Sequence, residues 1–209
     1  VLFDLVSGDI ITFTGKLAAT DMTFNGINGD GAETASVNIT GGTLSADYAA
    51  ADDTFSLGKG VTLTATAAQV NAATVTGAGL ATIKALSTTL AADLDGIATD
   101  LTIDLEATES TALTAGATIL IADNKTLTVT STTGDSKQSR LDVTEATFFE
   151  VGGGFASIVL ANIETELALT AAQATTHAIT GTGQVFVTDL VTTLAADLDG
   201  IATDLTIDL

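Results

Sequence analysis

TTLAADLDGIATDLTIDL stands at Thr88–Leu105 and again, unchanged, at Thr192–Leu209. From 88 to 192 is a displacement of 104 residues, and the same displacement relates further positions upstream. Leu63 falls on Leu167, the TAAQ run at 66–69 falls on 170–173, and Thr76, Gly77 and Gly79 fall on Thr180, Gly181 and Gly183. The register holds without a gap over this stretch, so the chain is built from a unit copied along a line, in which each copy chiefly touches its neighbours. The two units are 1–105, which includes an N-terminal strand-and-turn segment, and 106–209.

The residues around the repeated word point to strands. Hydrophobic residues make up 46% of the chain but aromatics only 4%, and Trp is absent. That composition predicts a core of Val, Ile, Leu and Ala, with Thr alternating beside them as branched side chains do on a pleated surface. There is no Pro in 209 residues, which fits a chain whose backbone is nearly all paired. There is also no Cys, which removes disulfides and thiolate metal sites.

Along the chain, residues 1–24 read as two strands around Leu2, Ile10, Phe13 and Leu17, punctuated by Gly8 and Gly15. FNGINGDGAET at 24–34 is the richest in turn dipeptides, with Asn-Gly at Asn25 and Asn28 and Asp-Gly at Asp30. SVNIT, TLSADYAA, TFSLGKG, VTLTAT and TVTGAGLATIKA follow as short strands, the last bent at its glycines. TAAQVNAA between them can pass for a helical turn, but strand is the preferred reading. In the second unit ATILIA and TLTVTST are strands joined at Asp123-Asn124-Lys125, and SKQSR at 136–140 is expected as an exposed loop. The most hydrophobic stretch, LDVTEATFFEVGGGFASIVLANI, carries Phe148, Phe149 and Phe155 and is expected at an interface or a lateral bulge.

Strands this short and frequent suit either a parallel β-solenoid or tandem β-sandwich domains. The solenoid is preferred: coils of roughly 20 residues divide 104 into about five, runs such as TILIA and ASIVLA are apolar on more than one side, and Asn-Gly hairpin signals are confined to the first part. The expected class is therefore an all-β parallel solenoid with repeats of 104 residues.

Charge narrows the partners. The formal net charge is −20, from 26 acidic and 6 basic residues. Nucleic acid needs Lys and Arg to neutralise phosphate, so it is excluded as a partner, and anionic membrane surfaces are disfavoured for the same reason. Mean hydropathy is +0.47, and Gly60–Ile83 is uncharged over a length that spans a bilayer. Its Thr, Gly, Gln69 and Asn71 are poor company for lipid in a helix, so strands are expected there and no membrane insertion. The chain opens on Val1 without a signal peptide, which reads as a mature piece or an excerpt.

GVTLTATAAQVNAATVTGAGLATI (60–83) and LALTAAQATTHAITGTGQVFV (167–187) resemble the Thr/Ala/Gly-rich β-strand repeats of very large bacterial extracellular proteins, among them calcium-dependent adhesins and surface-layer proteins exported by type I secretion. The resemblance implies an extracellular or cell-surface location and a calcium nonapeptide of the form G-G-x-G-x-D-x-U-x. Asn28-Gly29-Asp30-Gly31-Ala32-Glu33-Thr34 is similar to one copy, with Asn28 in place of the first Gly and Glu33 in place of the Asp.

Three sets of residues are candidate sites. Asp93, Asp95, Asp100 and Asp104, matched by Asp197, Asp199, Asp204 and Asp208, can form an Asp ladder for Ca²⁺, a hard cation that takes carboxylate oxygens. The competing and preferred reading makes them the solvated side of strands. Asn28, Asp30 and Glu33 form the second Ca²⁺ candidate. Asn38 and Asn124 head N-x-Thr sequons and are candidate glycosylation positions. His177, the sole His, aligns with Ala73 and is not required by the repeat. No nucleophile arrangement, phosphate loop or zinc motif is present.

These observations favour a non-enzymatic structural protein acting by self-association, with a carbohydrate- or surface-binding adhesin module as the alternative through its Phe148–Phe155 patch. A polysaccharide-cleaving enzyme ranks last, because Tyr, Trp, Arg and His are too few to hold a sugar.

Overall fold

The fold was analysed on a computed structural model. It describes residues 2–6, 8–13, 22–26, 35–39, 55–86, 91–106, 110–122, 124–131, 138–150, 157–175, 177–190 and 196–208. The chain is all-β and winds as a parallel solenoid. Nineteen strands follow one another: β1 (Leu2–Leu5), β2 (Ile10–Phe13), β3 (Met22–Gly26), β4 (Ala35–Ile39), β5 (Phe55–Leu57), β6 (Val61–Thr66), β7 (Val75–Lys84), β8 (Asp93–Leu94), β9 (Ile97–Asp104) and β10 (Ser110–Ala112). They continue with β11 (Thr118–Ile121), β12 (Thr126–Thr130), β13 (Ser139–Asp142), β14 (Thr147–Glu150), β15 (Ser157–Leu160), β16 (Thr165–Thr170), β17 (Ala178–Gly181), β18 (Gln184–Thr188) and β19 (Asp204–Ile207).

Strand partners lie one coil apart, and every described pairing is parallel. Thr12 of β2 pairs with Asn38, Asn38 with Thr64, Thr64 with Thr82, Thr82 with Thr102 and Thr102 with Thr128. This ladder belongs to an eleven-stranded sheet. A five-stranded sheet runs β10-β13-β16-β18-β19, and a three-stranded sheet runs β14-β11-β8. Coils are unequal, from 18 residues between Thr62 and Leu80 to 33 between Met22 and Phe55, so the expected length near 20 holds for some coils only. The eleven-stranded sheet runs through the unit boundary at 105/106, since Leu101 and Ile103 pair with Leu127 and Val129.

Inward residues stack as strictly as the backbone. One column comprises Val37, Leu63, Ala81, Leu101, Leu127, Ile158 and Ile179, each at most 2% exposed. Burying a column of this kind supplies roughly 1.5–3 kcal/mol for each large aliphatic side chain, relative to leaving it in water. The expectation of a core without aromatics holds only from the middle of the chain onward. In the first coils Phe3 stacks on Phe24 at 4.9 Å, Phe24 lies 4.6 Å from Phe55, and Phe13 meets Phe24 edge-on at 6.2 Å. The chain's few aromatics are thus concentrated at one end of the stack.

TAAQ is a helical turn, not a strand. Ala67–Val70 (α1) and Ala171–Ala174 (α2) each form one. Thr66 Oγ1 accepts from the Gln69 amide at 3.3 Å while Gln69 Oε1 accepts from the Thr66 amide at 2.8 Å, and Thr170 and Gln173 do the same at 3.2 and 2.8 Å. The T-x-x-Q spacing closes this reciprocal cap, which outweighs the strand preference of the flanking residues. Elsewhere, β3 continues through Asn25-Gly26, so that dipeptide is strand and not turn. SKQSR is a loop only in part: Ser139 and Arg140 lie in β13, and Ser139 is buried.

The copies coincide in three dimensions. Thr62 pairs with Leu80 and Leu80 with Asp100, while Glu166 pairs with Gln184 and Gln184 with Asp204, each at the same 104 displacement. Upstream of the corner the displacement becomes 103, because Leu57 pairs with Gly77 where Leu160 pairs with Gly181. The second copy carries one extra residue in the corner Ala161–Glu164. Gly77 and Gly181 have φ of 113° and 114°, and a Cβ on either would lie 2.1 Å from the carbonyl oxygen of Leu57 or Leu160. Two coils touch there, and only glycine fits.

Gly181→Ala should therefore lower stability by at least about 2 kcal/mol, combining a strained φ with a backbone clash. Gly8→Ala, with φ of 87° and nothing within 4 Å, should cost only about 1 kcal/mol. Thermal melts of the two variants side by side check the contrast.

Candidate functional site

The repeated word places its acids on three kinds of site in the first copy. Asp93 and Asp95 flank a tight turn, where the Asp95 amide donates to Asp93 Oδ1 at 3.3 Å and the Asp93 amide donates to Asn71 Oδ1 at 2.8 Å. Asp100 sits on β9, and its Oδ1 accepts the Thr126 amide of the next coil at 2.9 Å. Asp104 is 5% exposed, accepts the Glu106 amide at 2.9 Å and pairs with Lys84 Nζ at 3.5 Å. These carboxylates act as backbone acceptors that tie turns and coils together. The solvated-face picture is thus incomplete for the first copy, since Asp104 is buried and Asp93 and Asp100 are half-buried.

In the second copy Asp197, Asp199, Asp204 and Asp208 are all exposed. The Asp197 turn is kept, with the Asp199 amide donating to Asp197 Oδ1 at 3.1 Å. Lys84 has Thr188 as its counterpart, so the second copy lacks the equivalent ion pair. Among the described residues no group of three or more acidic or His side chains converges as a metal site; the eight aspartates are spread over turns and strands of different coils. Asn28, Asp30 and Glu33 lie outside the described residues.

Asp95 carries the one resolved titration shift among the described groups. Partial burial raises its pKa above the ordinary 3.8, helped by the hydrogen bond and the negative charge of Asp93, and opposed by the Gly96 amide.

The two sequon asparagines differ in presentation. Asn38 is half-buried within β4, between Thr12 and Thr64, in a groove of about 250 Å³ whose rim includes Thr66, Gln69 and Lys84. Asn124 is exposed at a corner with φ of 57°. His177 is 6% exposed, its ring centroid is 5.8 Å from that of Phe148, Nδ1 lies 3.3 Å from the Thr175 carbonyl oxygen, and Nε2 is buried without a partner among the described residues. Phe148 is itself 5% exposed and belongs to the core. The side chain of Phe149, and Phe155, lie outside the described residues.

One arrangement was not legible beforehand. Arg140 Nε donates to Glu166 Oε2 at 2.8 Å, Glu166 is 4% exposed, and the Arg140 guanidinium lies 4.0 Å from the centroid of the Phe186 ring. All three sit on neighbouring strands β13, β16 and β18. No local pattern announces the trio, because its members are 26 and 20 residues apart in sequence and only the coil lengths bring them together.

Comparison with protein-family models, with curated proteins and with solved structures finds no match to the chain. Among the described residues, no helix is long and apolar enough to cross a membrane.

Two outcomes follow from this geometry. Arg140→Ala leaves Glu166 buried without its cation and should destabilise the chain by about 3 kcal/mol; Glu166→Gln in the same chain should restore part of that, as read by chemical denaturation. For Asp95, a raised pKa means that the native state holds its proton more readily than the unfolded chain does. Stability is therefore lost as pH rises from the ordinary value through the raised one. Asp95→Asn should match the wild type in acid and be more stable by a few tenths of a kcal/mol at neutral pH, since the group is exposed.

Proposed function

We propose that the chain is a subunit or segment of an extracellular structural repeat protein, working by length and self-association as in a filament, a surface layer or a cell-surface stalk. The observation that carries this reading is the state of the outermost described coils. Leu2, Val6 and Ile10 are 60%, 43% and 68% exposed in the first, and Leu205 and Ile207 are 38% and 43% exposed in the last. Between them the inward columns are closed. Unpaired strand edges flanked by exposed aliphatic side chains are templates for another strand, and stacking units bury such faces in repeat proteins.

The resemblance to Thr/Ala/Gly-rich repeats of large bacterial surface proteins supports the extracellular location. The charge of −20 supports a role for Ca²⁺ or salt in relieving self-repulsion between stacked copies. The adhesin alternative leans on the aromatic patch at 148–155, and the burial of Phe148 against His177 weighs against it.

Electron microscopy and sedimentation of the purified chain test the proposal, first in Ca²⁺ and then after chelation. Filaments or lattices are expected in Ca²⁺. A monomer in both buffers at all concentrations overturns self-association, and filaments that survive chelation remove the cation from the account.

A further inference from the structure

We infer that the outer edge of β19 is an acceptor for the first coil of a second copy of this chain, with β2 of that copy lying over β19 as β12 lies over β9. The inference rests on the self-association reading and specifies its joint. Residues 192–209 are identical to 88–105, so the structure already shows what this word does when a strand covers it. Over the first copy, Leu101, Thr102, Ile103 and Asp104 pair with Leu127, Thr128, Val129 and Thr130, and Asp100 accepts the Thr126 amide. Leu101 and Ile103 are then 2% and 0% exposed. Their counterparts Leu205 and Ile207 are the side chains left 38% and 43% exposed, and Asp204, the counterpart of Asp100, is exposed beside them.

β2 has the form of β12. Each follows a corner closed by one backbone bond, from the Asp9 amide to the Val6 carbonyl and from the Lys125 amide to the Ala122 carbonyl, both at 3.0 Å. Each corner holds a residue of positive φ two places before the equivalent position, Gly8 at 87° and Asn124 at 57°. The corner before β6 repeats both features, with the Val61 amide on the Gly58 carbonyl at 3.1 Å and Gly60 at 81°. The inward residues agree as well: Ile11 and Phe13 stand where β12 has Leu127 and Val129, and both are only partly buried.

Direction agrees too. The described ladders are parallel and run outward in chain order, β2 at the first edge of one sheet and β19 at the last edge of another. The Ser36 amide points back one coil, to the Asp9 carbonyl at 2.9 Å. Ile10 occupies the same column as Ser36, so its amide points away from β4 and toward the incoming copy, where Asp204 takes the part of Asp100. In this register Ile11, Thr12 and Phe13 oppose Leu205, Thr206 and Ile207.

The competing joint is plain translation, with β2 extending its own eleven-stranded sheet over the bridge between Ile179 and Ile201. Thr12 would then oppose Ala202. Because the chain has no Cys, engineered pairs discriminate the two. Neighbouring parallel strands lie about 4.8 Å apart, within disulfide reach. Oxidised Thr12→Cys/Thr206→Cys should give a ladder of covalent oligomers that collapses on reduction, and Thr12→Cys/Ala202→Cys should not. Asp204→Ala, on the exposed edge, should keep the circular dichroism of the fold and weaken association about tenfold. Cross-linking through Ala202 with none through Thr206, in material that sediments as oligomers, overturns this joint and leaves self-association standing. A wild-type chain that sediments as a monomer overturns both.

Discussion

A backbone ladder renewed at every coil is the constraint on which the rest of this structure depends. Each strand offers amides to one neighbour and carbonyls to the other, so each coil must return the chain to the same column with its side chains facing the same way. That requirement explains the inward stack from Val37 to Ile179 and the outward one from Thr12 to Thr128. It also explains the absence of Pro, which would remove an amide from the ladder. Unequal coils meet the requirement because extra residues are held in corners and between strands, where register is reset before the next ladder begins.

Close contact between coils sets the corners. At Gly77 and Gly181 the neighbouring coil's carbonyl occupies the space of a side chain, and the helical turns at α1 and α2 are closed by their own Thr and Gln before the chain re-enters a strand. Polar side chains then secure what packing leaves open. Gln173 Nε2 donates to the Val143 and Ala146 carbonyls at 2.7 and 3.0 Å, Asp100 takes the Thr126 amide, and Glu166 is held by Arg140. In an acid-rich chain, several carboxylates are thereby made into structural acceptors.

The solenoid was legible because its signal is repetition: an 18-residue word copied at a fixed distance, with alternation on either side of it. Strand positions such as 61–66, 118–121 and 126–130 could be read from that alternation alone. The helical turns were obscured because alanine-rich segments flanked by Thr and Val satisfy both patterns, and the deciding feature is a side-chain cap of one residue on another. The fate of the aspartates was harder still. Asp104 and Asp208 sit in the same word, yet one is buried beside Lys84 and the other exposed, since burial depends on whether a further coil lies above. For the same reason the Arg140, Glu166 and Phe186 contact, assembled across coils, left no trace in any short window.

The distances between laddered partners carry a further consequence. They run from 18 to 33 residues along the chain, so closing any one coil brings together only residues that are already near neighbours in sequence. Loop closure of that size is entropically mild, and every finished coil leaves an edge ready for the one after it. The chain can thus be laid down from one end as it becomes available, without waiting for its far end and without a prolyl bond to isomerise. Its assembly pathway is a growth process in miniature, one coil at a time.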